Sequence, residues 1–327
     1  MTGRRLDDKD VRVPIDMSTP TPNQVDDVVA DLSSWQREGL PVQLHPGDLG
    51  WALRSGPVAL ARALRVWSVD ATRLAIGFLD ETALIRLAIT PSRGDDAELA
   101  TALVRDLADP ARGILGDGRI SVEARFGGAF RSQLRATGWV DGDAWTPLVR
   151  DLADPVDAIG LRVVVVGPAE VDERVAVQRS AFPTSTFTAE RWHEMAQTPA
   201  YRQARCLLGY DAEGTAVAAV TVWSTGPGRP GLLEPMGVHR DHRGHGYGTA
   251  ICIAAAAALR DLGASSATVA TESANAAAVA TYTAAGYRSR GESRDFVLNS
   301  RSGRGQGADR ALEGGAYVEV RVDGQPV

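Results

Sequence analysis

The stretch from Val238 to Thr249 (Val-His-Arg-Asp-His-Arg-Gly-His-Gly-Tyr-Gly-Thr) constrains the fold of this chain more than any other. It sits between an apolar strand, Leu232 to Val238, and a long alanine-rich helix, Tyr247 to Leu262, with Gly263 at the C′ position. Gly244, Gly246 and Gly248 carry no Cβ and allow close backbone approach to an anion. The helix start offers unpaired N–H groups and a partial positive charge, and Arg243 adds a fixed cation. Strand, glycine turn and helix N-terminus in that order make a pyrophosphate cradle. The cradle is neither of the dinucleotide nor of the Walker type: the loop holds no Gly-x-Gly-x-x-Gly and no Gly-Lys-Ser/Thr, and several strands precede it.

A second pattern lies downstream. Asn275, Ala278, Tyr282, Gly286 and Tyr287 are spaced Asn-x-x-Ala-x-x-x-Tyr-x-x-x-Gly-Tyr on a helix closed by Gly286. Together with Arg243-x-x-Gly246-x-Gly248, this resembles the GCN5-related N-acetyltransferase (GNAT) family, over about Leu161 to Leu298. The resemblance implies acetyl-CoA as co-substrate and direct attack by an amine, with no covalent enzyme intermediate and no metal. It assigns acetyl-CoA binding to Met236, Gly237 and Val238, to Arg243, Gly244, His245, Gly246, Tyr247, Gly248 and Thr249, and to Asn275 beside the pantetheine arm. The backbone near Met236 to Val238 would serve the oxyanion, and Tyr282 would protonate the leaving thiolate. Glu234, a carboxylate in an otherwise apolar strand, is the first candidate for the base; Glu272 and His239 are the alternatives.

The chain has 327 residues, a length that suits two domains. Strands and helices alternate in the same order through both halves. In the first, helical spacing covers Val25 to Trp35 and Val58 to Leu64, with a break at Pro46-Gly47. Strands follow at 66–69, 73–78 and 84–90, then a helix at 97–107, a strand at 119–124, a helix from Phe130 closed by Gly138, and a strand at 145–152. In the second half, strands fall at 161–166, 204–210, 216–223, 232–238, 267–271 and 293–298. Helices fall at 169–182, 189–197, 247–262 and 275–285. Gly286-Tyr287 matches Gly138-Trp139 at an offset of 286 − 138 = 148, and Tyr282 then falls on Leu134; Val238 matches Ile89 at 149. The chain therefore reads as an α/β protein (α+β mixed sheet) of two tandem GNAT-like domains, each a twisted, mostly antiparallel sheet flanked by helices. The divisions are a loose lead, 1–24; a degenerate copy, 25–152; a catalytic copy, 153–299; and a tail, 300–327, with a glycine-rich loop and a possible strand from Ala316 to Val322. In the degenerate copy Asp95, Asp96 and Glu98 occupy the helix start, where they satisfy the dipole and repel phosphate.

Composition narrows the partners. A net charge of −6 argues against nucleic acid. The longest apolar run, Ala250 to Leu259, is about half of the roughly 20 residues that a membrane span needs. The charged start, Met1 to Arg12, has no secretory signal, and two cysteines make no disulfide framework, so a cytoplasmic protein is expected. The histidines at 239, 242 and 245 lack a usual zinc spacing. The acceptor cleft is expected around Ser180–Gln197, Trp223–Gly231 and the tail, with Phe182, Phe187, Trp192 and Trp223 either shaping it or packed in the core. The acceptor reads as a small-molecule primary amine, aminoglycoside-like or another cationic metabolite; a protein or peptide acceptor and a non-catalytic CoA-binding module are the alternatives. The spacing does not decide between a monomer and a homodimer.

Overall fold

The computed structural model describes residues 14–116, 118–156 and 160–299. The charged start and the Ala316–Val322 segment lie outside the described residues. The first half runs β1 (Asp16–Ser18), α1 (Val25–Trp35), α2 (Pro46–Ala52), α3 (Pro57–Ala63), β2 (Leu64–Val69), β3 (Thr72–Glu81), β4 (Leu84–Ile89), α4 (Ala97–Ala108), β5 (Arg119–Glu123), α5 (Gly128–Ala136) and β6 (Val140–Asp151). The second runs β7 (Arg162–Val165), α6 (Val171–Ala181), α7 (Ala189–Ala196), β8 (Ala204–Tyr210), β9 (Ala216–Trp223), β10 (Pro230–Val238), α8 (Tyr247–Asp261), β11 (Ser266–Glu272), α9 (Ala276–Ala284), β12 (Arg288–Ser289) and β13 (Ser293–Asn299).

The repeat legible in the sequence is present in the backbone. Helices α5 and α9 begin and end at the same offset, 276 − 128 = 284 − 136 = 148. Both close on a left-handed glycine, Gly138 at φ 92° and Gly286 at φ 84°. The following aromatic N–H then bonds back to the same carbonyl, Trp139 to Leu134 and Tyr287 to Tyr282. This is the glycine-closed helix end that satisfies the last carbonyls and turns the aromatic ring inward.

The two copies do not close separately. All strands but β12 form one path in a single sheet, β1-β2-β3-β4-β5-β13-β6-β11-β10-β9-β8-β7, with β12 on β6. The last strands are exchanged. Strand β13 of the second half pairs antiparallel with β5 of the first (Phe296 opposite Val122), and β6 of the first half pairs antiparallel with β11 of the second (Val149 opposite Thr268). The cores follow the strands: Phe296 is buried with Trp67, Phe130 and Leu134 of the first half, while Leu148 and Leu152 are buried with Ile251 and Leu259 of the second. Apolar alternation fixes which face of a strand is buried but not which sheet receives it.

Two segments depart from the sequence reading. Pro46-Gly47 does not end a helix but starts one. Pro46 needs no amide donor at that position, His45 Nδ1 accepts from Gly47 N–H at 2.9 Å, and Asp48 Oδ2 accepts from His45 N–H at 2.6 Å. The lead is likewise not loose throughout, because Asp16–Ser18 adds an edge strand to β2. Helix α2 forms the joint between the halves. A Cβ on Gly47 or Gly50 would lie 2.6 or 2.4 Å from the Trp223 ring of β9, so only glycine lets α2 lie flat against that indole.

Because β13 belongs to the first half's core, Phe296→Ala should destabilise the protein by about 3–5 kcal/mol. Urea unfolding followed by tryptophan fluorescence should give one shifted transition. Loss of only a second-half transition would contradict a shared core.

Candidate active site

A wedge opens in the second half's sheet. Strands β10 and β11 pair in parallel only over Pro230–Leu232 and Ser266–Thr268. Beyond that β10 stays with β9, with Met236, Gly237 and Val238 opposite Val220, Ala219 and Ala218 after an irregularity between Leu233 and Met236. The β11 side of Met236 to Val238 is thus left outside the ladder, open to a ligand. Gly237 is needed there because a Cβ would lie 2.6 Å from Ala181 Cβ.

Helix α8 begins beside this wedge. Its N-cap, Gly246 at φ 82°, provides no side-chain cap, so the first N–H groups point into the loop without a side-chain acceptor. Gly244 is also left-handed, at φ 83°. Gly248 serves packing instead, since a Cβ there would lie 3.0 Å from Thr281 Cγ2 and hold α8 away from α9. The loop is tied to the end of α6, where Arg240 N–H donates to Ser180 Oγ and Arg243 Nη2 donates to Ala181 O, both at 3.0 Å. His245 stacks on Tyr247 with ring centroids 5.8 Å apart. Asn275 is exposed and caps α9, its Oδ1 accepting from Ala278 N–H at 3.1 Å.

The corresponding place in the first half is filled by the protein itself. Helix α4 is capped by Asp96, whose Oδ1 accepts from Glu98 N–H and Leu99 N–H, both at 2.9 Å. Slight burial works to raise the Asp96 pKa, but these amides and Arg93 outweigh it and hold the carboxyl below its usual range. The end of β4 is covered as well. Gln43 accepts from Ile89 N–H at 2.8 Å and donates to Ile89 O at 3.2 Å, at the residue that matches Val238. The same fold position is open in one copy and satisfied in the other.

Glu234 and Tyr282 lie at the inner end of the wedge. Both are buried. Burial, then the nearby Cys252 and Glu234, push the Tyr282 phenol well above its ordinary pKa, so it stays protonated. Burial, then Asp48, raise the Glu234 carboxyl well above its ordinary range, with Arg86 opposing. Glu234 is joined to a charge cluster that the sequence pattern does not reveal. Arg86 Nη1 lies 3.0 Å from Asp48 Oδ1, 3.6 Å from Asp80 Oδ2 and 3.9 Å from Glu234 Oε1, and Arg86 Nε lies 3.2 Å from Glu123 Oε2. Arg125 shares Glu123 at 3.2 Å. Burial, opposed by Arg86, brings Asp80 up to about 6. The other sequence candidates fall elsewhere. Glu272 faces Trp145 across the β11–β6 ladder, and His239 Nδ1 accepts from Asp241 N–H at 3.4 Å; neither lines the cavity at Glu234. Of the four aromatics expected near the acceptor cleft, Phe182 lines that cavity, while Phe187, Trp192 and Trp223 are buried in the core.

The cluster residues do carry a signal. Arg86 and Glu123 each interrupt an apolar strand, as Glu234 does, Asp80 follows one, and buried charges require partners.

A splayed parallel strand pair, a glycine loop and an uncapped helix start meet in the second half. Residues 172–287, which contain all three, match the family model described as the acetyltransferase (GNAT) family. Among solved structures, a tandem GNAT protein from the clavulanic acid biosynthesis pathway is similar at 18% identity and TM-score 0.55, covering 87% of this chain and 98% of that one. A GCN5-related N-acetyltransferase from Sphaerobacter thermophilus matches at 16% identity and TM-score 0.51 (88% and 97% covered), and a GNAT-family acetyltransferase from Colwellia psychrerythraea at 13% and 0.53 (87% and 99%). These likenesses extend over both halves and speak for the fold. No curated relative matches the chain in sequence. Among the described residues, no helix is long and apolar enough to cross a membrane.

Arg86→Met should cost about 3–5 kcal/mol near neutral pH, since it leaves buried carboxylates without their cation. The penalty should shrink at pH 5, below the Asp80 value of about 6, because that carboxyl then carries a proton and needs no cation. Urea unfolding at pH 7.5 and 5 measures both; an equal penalty at the two values would contradict this electrostatic origin.

Proposed function

We propose that the protein is an acetyl-CoA-dependent N-acetyltransferase that transfers acetyl to a primary amine of a small molecule, by direct attack and from one site in the second half. The observation that carries this reading is the uncapped start of α8 behind Gly244 and Gly246, beside the open edge of β10 and next to Tyr282 and Glu234. The free N–H groups of α8 suit pyrophosphate, which they would hold with Arg243 and the loop from Gly244 to Thr249. The amide of Asn275 and the edge from Met236 to Val238 suit the pantetheine arm, and a backbone N–H of that edge would stabilise the oxyanion.

Tyr282 holds its proton up to high pH and would give it to the departing thiolate. Glu234 is the base. In the resting protein burial keeps it protonated, so its basic form fills only as pH rises above the ordinary carboxylate range. Its neighbour Arg86 favours the ionised form. The capped α4 and the Gln43-covered end of β4 support a first half without acetyl-CoA.

Thiol release from acetyl-CoA across a panel of amines and peptides tests the reading. Tyr282→Phe should lower kcat about 100-fold or more while acetyl-CoA affinity stays within a few-fold. Release with no amine or peptide would leave only a CoA-binding module. In the wild type, kcat/KM should rise with pH as Glu234 loses its proton; Glu234→Gln should remove that limb, and an unchanged profile would exclude Glu234. Calorimetry should find one acetyl-CoA per chain, and a second equivalent would contradict the closed first copy.

A further inference from the structure

The carboxyl of Glu234 does not face open solvent; it faces a cavity built from both halves. The second half supplies Gln178, Phe182, Ser185, Glu234 and Pro235, and the remainder of the wall comes from α2, α3, the Arg54-Ser55 turn between them, β3 and β4 of the first half. The wall is mainly apolar, with Trp51, Ala59, Leu60, Phe78 and Phe182, while Asp48, Asp80 and Glu234 form an acidic floor around Arg86. The enclosed part is about 50 Å³, room for a few water molecules or the amine end of a slim chain.

The charges in the floor are shared. Asp48, Asp80, Glu123 and Glu234 surround Arg86, Arg125 serves Glu123, and Arg54, stacked over Trp51 with its Nη1 donating to Trp51 O at 2.8 Å, also acts on Asp80. His45, beside Asp48, adds no charge, since burial lowers its pKa to about 4. A second observation points to a ligand. Asp48 is 2% exposed and lines the cavity, yet its Oδ1 accepts no hydrogen bond among the described residues, although Arg86 Nη1 lies 3.0 Å away. The Asp80 side chain is the most accessible of the four carboxylates, at 23% against 1% for Asp48, 7% for Glu123 and 8% for Glu234.

We infer that this cavity is the acceptor pocket, that the first half is its specificity element, and that the acceptor is a primary amine on a slim apolar body rather than on a sugar. The inference rests on the acetyltransferase reading above. The acceptor enters as the ammonium ion, held by Asp80, with its apolar carbons against Trp51, Ala59 and Phe182. Loss of one proton to Glu234 leaves the neutral amine next to the acetyl carbonyl. The nitrogen lone pair forms the C–N bond, the C–S bond breaks and the sulfur leaves as thiolate to take the Tyr282 proton, while the second nitrogen proton returns through water to the Tyr282 oxygen, leaving the amide, the free thiol and the first proton on Glu234. A polyhydroxylated amine would leave its hydroxyls unpaired against these walls, a loss that apolar pockets do not recover.

Phenethylamine and glucosamine are the probes, with wild type, Ala59→Leu and Asp80→Asn. Wild type should acetylate phenethylamine with a kcat/KM at least about tenfold above glucosamine. Ala59→Leu, which fills the wall from the first half, should lower that value about tenfold or more while calorimetry still shows acetyl-CoA bound. Asp80→Asn should raise KM for phenethylamine about tenfold with kcat nearly kept, the loss of one charged contact to the bound ammonium. If glucosamine is preferred and Ala59→Leu leaves both rates unchanged, the acceptor enters elsewhere; the pocket assignment falls and the acetyltransferase reading stands. If no amine releases thiol, that reading falls instead. Titration of phenethylamine by calorimetry then decides the pocket alone: binding lost in Ala59→Leu supports it, and no binding to wild type overturns it.

Discussion

Arg86 is a guanidinium in the interior, reaching carboxylates from α2, β3, β5 and β10. Moving such a charge out of water is costly by several kcal/mol, and it is stable there only because oppositely charged groups surround it. The reverse also holds: Asp48, Asp80, Glu123 and Glu234 are tolerated in the core because Arg86 is present. The first three belong to one copy and Glu234 to the other, so a single electrostatic requirement fixes how the halves approach.

The joint has an apolar component of equal consequence. The Trp223 ring lies against Gly47 and Gly50, and its Nε1 donates to Glu234 O at 2.7 Å. One side chain therefore both seats α2 and fixes the backbone beside the irregular part of β10. With β6 and β13 exchanged between sheets, neither half completes its sheet from its own strands. The first copy carries the strand and helix geometry of a cofactor cleft but satisfies it internally, through Asp96 and Gln43. The second leaves the same backbone groups open. A difference of a few side chains, on one architecture, leaves one helix start capped and the other without a side-chain cap.

Much of this is legible in the chain itself. The glycine loop, the Asn275–Tyr287 pattern and the 148-residue repeat are local signals, each needing only a few neighbouring residues to act, and each appears in the backbone where the spacing puts it. The start of α2 is not legible, because Pro46-Gly47 stops one helix and opens another equally well; what decides is the capping pair of His45 and Asp48. Asp48, Asp80, Arg86 and Glu123 do not stand out as a group, although each is a charge in or beside apolar sequence. Their partners are far away along the chain, and only burial makes a partner necessary.

The sequence by itself determined the class of fold, its duplication and the glycine loop before α8, because backbone conformation, helix ends and apolar periodicity are set by residues within a turn or two. Tertiary structure decided the rest: that the last strands change places, that Gln43 covers the end of β4, and that a cavity with Glu234 in its floor has walls from the first half. These depend on which surfaces are excluded from water together. Exclusion from water gives a distant carboxylate or indole its energy, and it is a property of the assembled chain.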